Sequence, residues 1–294
     1  MPSLRLSAPA KLNLTLRILG RREDGYHELE TIFQLLDFGD ELTFTPTSDG
    51  TIALQGPDLG IPPSRNLVYR AAEILQRHAG KPTSGAKILL EKTLPAGGGI
   101  GGGSSDAATT LLALNHLWQC GLDTEQLAEL GRQLGADIPV FVHGHSAWAE
   151  GVGERLTPVA IERAWYLVLT PDCHVSTAEL FSHPRLTRDS AAITLAALRD
   201  RRLTQHWLAQ YARNDFQPLV EELYPAVRTA REWLSQYARA QLTGTGACVF
   251  AAFDSETEAQ HLLNQRPAGI EGFVAAGINR SPAHEQLAKF AAIV

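Results

Sequence analysis

Residues 95 to 105 read Pro95-Ala96-Gly97-Gly98-Gly99-Ile100-Gly101-Gly102-Gly103-Ser104-Ser105, with six glycines in seven positions from 97 to 103. Such a run cannot be a packing element, because glycine brings no side chain and costs backbone entropy on ordering. Its use is to let backbone N–H groups approach something closely. Upstream, Ala86 to Lys92 has the alternation of a strand; downstream, Ala107, Leu111, Leu114 and Trp118 recur at helical spacing, with Ser104 or Ser105 as the expected cap. A strand, a glycine loop and a helix N-terminus together favour negative charge, through unpaired N–H groups and the helix dipole. The expectation is a phosphate cradle. A flexible linker is the plain alternative, but linkers do not usually join a strand to a well-formed helix.

The context excludes the commonest owners of such loops. Gly97, Gly99 and Gly102 satisfy G-x-G-x-x-G, but a dinucleotide fold needs an acidic residue ending a second strand about 20 residues on. Asp123, the nearest candidate, follows a helical pattern and Gly121 instead. No H-R-D or D-F-G of a protein kinase occurs, nor any G-x-x-x-x-G-K-[ST].

At 294 residues, 44% hydrophobic and 20% charged, the chain suits a soluble globular protein of one large or two ordinary domains. A net charge of −6 argues against nucleic acid and anionic membranes as partners. The N-terminus lacks an apolar signal core and no apolar run reaches membrane length, so a cytoplasmic protein is expected. Cys120, Cys173 and Cys248 are far apart and match neither a disulfide framework nor a metal motif. Monomer and homodimer both stay open.

Along the chain, Leu4 to Ser7 reads as a strand that Pro9 breaks or places at an edge. Lys11 to Ile18 alternates, which puts Lys11, Asn13, Thr15 and Arg17 on one face. Asp37-Phe38-Gly39-Asp40 reads as a turn between strands near Glu30–Leu36 and Glu41–Thr45. Helices are expected over 66–78 and from Thr124, which is read as the cap of a helix that Gly135 stops. Asp137 follows in a short turn, with Ile138 held extended by Pro139. Its carboxylate either bonds its own backbone or is aimed at a reacting group. Trp165–Thr170 reads as a strand and 191–237 as mostly helical. Residues 243–250 form a second glycine-punctuated turn feeding a strand; Ser255 caps a helix and 273–278 is a last strand. This half suggests a separate α+β sandwich, with a boundary near residue 160.

Three segments, Pro9-Ala10-Lys11-Leu12-Asn13, the glycine loop, and Leu242-Thr243-Gly244-Thr245-Gly246-Ala247-Cys248, resemble the three motifs of the GHMP kinases, in the same order. The resemblance spans nearly the whole chain and is weakest over 178–235. It implies an α+β, two-domain fold: an N-terminal ATP-binding α/β domain at 1–160 and a C-terminal α+β sandwich at 161–294, around a central cleft. Asp24-Gly25-Tyr26-His27, Gly99 to Ser105 and Gly135-Ala136-Asp137-Ile138-Pro139-Val140-Phe141 resemble the members that phosphorylate the 2-hydroxyl of a cytidyl diphospho-methylerythritol, in non-mevalonate isoprenoid synthesis.

What the resemblance implies for the site is specific. Lys11 and Asp137 are the expected catalytic pair. Pro95, Ala96, Gly97, Gly98, Gly99, Ile100, Gly101, Gly102, Gly103, Ser104 and Ser105, with Asn66 and Lys92, are expected around ATP. Asn13, Tyr26, His27, Thr177 and Phe181 are expected around the cytidyl substrate. Mg²⁺ accompanies ATP, with no protein ligand assigned. Asp106 places a carboxylate near the phosphates, which is unfavourable unless it points away or helps hold Mg²⁺. Another small-alcohol kinase of the superfamily is the alternative; so is a catalytically silent ligand sensor, which would need Lys11 or Asp137 replaced.

Overall fold

A computed structural model describes residues 2–193 and 202–292. In chain order, β1 (Leu4–Arg21), β2 (His27–Thr47) and β3 (Ile52–Gln55) lead through a single turn at Pro63–Arg65 to α1 (Leu67–His78) and β4 (Gly85–Glu91). Helices α2 (Gly102–Leu117), α3 (Thr124–Arg132) and α4 (Ile138–His143) follow, then β5 (Ala147–Gly151), β6 (Arg155–Pro158), β7 (Ala160–Ile161) and β8 (Trp165–Thr170). The remainder is α5 (Thr177–Ser182), β9 (Arg202–Leu203), α6 (Gln205–Tyr211), α7 (Gln217–Leu223) and α8 (Pro225–Leu234), then β10 (Gln241–Leu242), β11 (Val249–Phe253), α9 (Glu256–Asn264), β12 (Glu271–Ile278) and α10 (Pro282–Ala291). The α+β class read from the sequence holds. The stretch 194–201 within the expected helical region lies outside the described residues.

Strand β2 is the spine. It pairs with β1 along its length, with β5 near its start, with β4 near its end, and with β12 at Leu35 and Leu36. That last short pairing joins the β10-β11-β8-β12 strands to the N-terminal ones in a ten-stranded sheet. One core lies under α1 and α2 and includes Phe33, Phe44, Leu111 and Leu114. A second, with Phe216, Val227, Leu234 and Val249, packs α7 and α8 against β8 and β11. A third, around Leu12, Ile32, Trp148 and Tyr166, draws on both halves of the chain.

The sequence expectation of two breaks in the first hairpin is corrected. Pro9 does not end β1 but does lie on an edge strand, since β1 pairs with no strand other than β2 among the described residues. Asp37 to Asp40 is not a turn but part of β2. Pro9 lies opposite Gly39, and the register shifts between Pro9 and Lys11. The bulge accommodates the missing N–H of proline. Gly39 permits the close approach: a Cβ there would meet the Ala8 carbonyl oxygen at 2.1 Å.

Three local expectations are corrected as well. Gly101, at φ 77°, precedes the first residue of α2, so Ser104 and Ser105 fall inside its first turn rather than capping it. Asp123, not Thr124, caps α3, in a reciprocal pair with Gln126. Ile138 is helical, with Pro139 in the tolerant first turn of α4. Packing overrides the pre-proline preference, because Ile138 is fully buried and seats its Cγ2 2.5 Å from where Gly131 would carry a Cβ.

Gly39→Val forces a branched side chain into the β1–β2 contact and should destabilise by about 1–3 kcal/mol. Gly20→Val, where nothing lies within 4 Å of the added Cβ, is the control. Urea midpoints of the two variants check the difference; equal midpoints contradict it.

Candidate active site

Lys11 emerges from the bulge with its side chain only 3% exposed. Its ammonium donates to Asn13 Oδ1 at 2.5 Å and to the Gly99 carbonyl at 3.0 Å, and lies 3.2 Å from Asp137 Oδ2. Two hydrogen bonds and one close carboxylate surround it, the kind of partners that a buried ammonium requires. The Lys11 backbone N–H donates to Ile100 O at 2.9 Å, locking β1 to the glycine loop. Asn13 is oriented in turn: its amide donates to Thr31 Oγ1 at 2.8 Å and its backbone N–H to Thr243 Oγ1 at 2.9 Å. Cys248 N donates to Gly98 O at 3.1 Å. The three motifs expected to meet do meet.

They border a cleft of about 940 Å³ that Lys11, Asn13 and Asp137 line. Asp137 precedes α4 and keeps 38% side-chain exposure. From the glycine loop, Gly97, Gly99, Gly101 and Ser104 reach the cleft. At Gly101 a Cβ would lie 2.8 Å from the Phe141 ring, so only glycine lets the backbone pass there. Ile100 is buried, Gly98 packs on Cys248, and Ser105 is fully buried with no partner for its hydroxyl. Pro95, Ala96, Gly102 and Gly103 belong to the same loop and helix start but do not line this cleft. Nor do Asn66, whose Oδ1 caps α1 by accepting from Val68 N, and Lys92.

Lys92 has another environment. Its ammonium is 2.5 Å from Asp40 Oδ2, 3.0 Å from Asp106 Oδ2, and beside Gly102. Asp40 also accepts from the Thr93 and Leu94 N–H groups, at 2.6 and 2.8 Å. Asp106 Oδ1 is sealed with no partner. Burial pushes the Asp106 carboxyl up to about 7 against the downward pull of Lys92, with Asp40 adding to the rise. Burial opposes the charge on Lys92, yet Asp106 and Asp40 outweigh it and raise its pKa. Asp106 thus points into the protein.

Tyr26 and His27 line the same cleft, Tyr26 exposed and His27 buried. The His27 and Phe181 rings are 5.0 Å apart, and Phe181 meets Phe216 edge-on at 4.9 Å. Burial lowers the His27 pKa, and Arg188 and Arg21 lower it further. The Thr177 and Thr245 hydroxyls bond at 2.7 Å, tying α5 to the glycine-punctuated turn at 243–250. Arg188, Phe216 and Asp40 were not read from the sequence. Arg188 and Phe216 lie in the stretch where the motifs are weakest, and Asp40 was hidden in an expected turn.

Glycine loop, buried lysine and facing carboxylate in one cleft define a small-molecule kinase of the GHMP type. The family model described as GHMP kinases N terminal domain matches residues 66–145, and GHMP kinases C terminal matches 192–269. The 4-diphosphocytidyl-2-C-methyl-D-erythritol kinase of Pseudomonas putida is 54% identical over 287 residues, covering 98% of this chain and 97% of its own. That of Pseudomonas syringae pv. syringae is 55% identical over 286 residues, covering 97% and 98%. A crystal structure of 4-(cytidine 5'-diphospho)-2C-methyl-D-erythritol kinase superposes with a TM-score of 0.80 at 34% identity, over 93% of this chain and 99% of that one. A mevalonate kinase at 16% identity, covering 95% of this chain and 100% of its own, shares the fold with a TM-score of 0.66. The chain belongs to the 4-diphosphocytidyl-2-C-methyl-D-erythritol kinase family.

The Asp106 shift fixes a pH dependence. The folded protein retains a proton that an unfolded aspartate releases near pH ~4. The stability this contributes is complete below that pH and is lost as pH rises through about 7. Asp106→Asn is neutral throughout, so its melting temperature should rise relative to the parent protein from about pH 4 to about pH 7. Thermal melts across that range check it; a difference independent of pH contradicts it.

Proposed function

We propose that the chain transfers the γ-phosphoryl group of ATP to the 2-hydroxyl of 4-diphosphocytidyl-2-C-methyl-D-erythritol, as a cytoplasmic enzyme of non-mevalonate isoprenoid synthesis. The observation that carries this reading is the Lys11–Asp137 pair, 3.2 Å apart beside the glycine loop, in a chain more than half identical to kinases of that name.

Asp137 acts as the base for the acceptor hydroxyl, and its partial exposure keeps it reachable. Lys11 holds the carboxylate in register and offsets charge developing on the transferred group. N–H groups of the loop 95–105 and the start of α2 supply preorganised dipoles for the ATP phosphates. Asn66 and Lys92 border the nucleotide. Asn13 orients Lys11 at the substrate side, while Tyr26, Phe181, His27 and Thr177 receive the cytidyl end. Arg21 and Arg188 also line the cleft, and Arg21 balances the substrate's diphosphate. The cleft is read as the seam between an N-terminal domain at 1–160 and a C-terminal domain at 161–294.

Mg²⁺ is read as arriving on the ATP phosphates. Among the described residues no group of three His, Cys, Asp or Glu could hold a metal ion, so no protein-built site is assigned and no step is routed through it. No helix of the described residues is long and apolar enough to cross a membrane.

A coupled ADP-release assay with a panel of alcohols tests the reading. The expected result is turnover with the cytidyl diphospho-methylerythritol and little with methylerythritol alone, mevalonate or homoserine. Equal turnover of methylerythritol without its cytidyl group would contradict it.

A further inference from the structure

We propose that Arg188 is a positioning residue for base discrimination: it holds His27 with its proton on Nδ1, so the cleft offers a hydrogen-bond donor to a pyrimidine whose N3 carries a lone pair. This rests on the reading that the cytidyl end of the substrate lies at His27.

The Arg188 Nε donates to His27 Nε2 at 2.9 Å. A guanidinium only donates, so Nε2 must present its lone pair. In a neutral imidazole the proton then sits on Nδ1. Arg188 does not adapt to His27, because the rest of its fork is committed elsewhere. Its terminal nitrogens donate to the carbonyls of Phe181 and His183 at 2.8 Å each and of Leu186 at 3.1 Å. The guanidinium is thereby anchored to the end of α5, the helix that carries Phe181. Among the described residues no protein group bonds His27 Nδ1, and it is not among the sealed unpartnered atoms. Burial, with the Arg188 and Arg21 guanidiniums nearby, lowers the His27 pKa and so favours the neutral imidazole.

The consequence is chemical selectivity. Cytosine presents a bare N3 between its carbonyl and its amine, whereas uracil presents an N3–H. A fixed Nδ1–H pairs with the first and faces a second donor with the other, leaving both donors without an acceptor. Without Arg188 the two imidazole tautomers become close in energy, and Nδ1 can accept from uracil. Loss of Arg188 therefore raises turnover of the wrong substrate, which mere structural damage would not do.

The test uses the full chain as the parent protein, Arg188→Met, Arg188→Lys and His27→Ala. It measures kcat/KM for the cytidyl substrate and its uridyl analogue. Long-range ¹H–¹⁵N NMR of the histidine rings reads the tautomer, with His27→Ala assigning the signal. The expected result is an Nδ1-protonated His27 in the parent protein. In Arg188→Met the tautomers mix, and the cytidyl-to-uridyl ratio falls about ten-fold or more with an absolute gain on the uridyl side. Arg188→Lys keeps one donor and should restore much of the ratio. An Nε2-protonated His27 in the parent overturns the proposal whatever the variants do. An unchanged ratio in a folded Arg188→Met overturns it too. A parent protein with the Nδ1 tautomer that phosphorylates both substrates equally would instead overturn the placement of the cytidyl group at His27.

Discussion

A buried ammonium organises this molecule. Removing a charge from water costs several kcal/mol unless partners replace the lost hydration, and Lys11 takes its three from separate places: Asn13 on its own strand, Gly99 in the glycine loop, and Asp137 ahead of α4. Satisfying one lysine therefore brings together segments 88 and 126 residues away in sequence. Thr243 extends the arrangement to the far half of the chain by accepting from the Asn13 N–H. The site is held by the same contacts that would operate on a substrate.

The sheet makes that convergence possible. Lys11 reaches the glycine loop because the Pro9–Gly39 contact and its register shift turn β1 there. The pairing of β12 with Leu35 and Leu36 of β2 brings the C-terminal strands into the same sheet. Below the loop, the Asp40–Lys92–Asp106 cluster ties β2, the end of β4 and the first turns of α2 together. It is a second buried charge group with a different solution: one carboxyl keeps a proton into the neutral range instead of finding a further partner.

Much of this was legible in the residues. The glycine loop was legible as a link between an alternating strand and a helical pattern, which the structure forms as β4 and α2. The three ordered motifs added Lys11 and Asp137 and the family. What escaped reading depended on tertiary contact. Gly39 and the acidic residues beside it have turn composition, yet close strand approach makes them part of β2. Ile138 obeyed packing on Gly131 rather than the preference of a residue before proline. Ser105 carries a motif hydroxyl but is sealed inside the first turn of α2. Arg188 and Phe216 acquire their place only when α5 and the start of α7 fold back against His27 and Phe181. No local spacing marks such residues.

The central claim is that Lys11 and Asp137 work as one unit. A kinetic cycle of Lys11→Met, Asp137→Asn and the double variant tests it most directly, with calorimetry of ADP binding to confirm an intact nucleotide site. Each single change should lower kcat by on the order of 10²–10⁴. The double variant should be about as slow as the slower single one, because residues that act together lose their joint contribution only once. Losses that multiply in the double variant, or an Asp137→Asn protein keeping more than about half of kcat, would contradict a joint role for the pair.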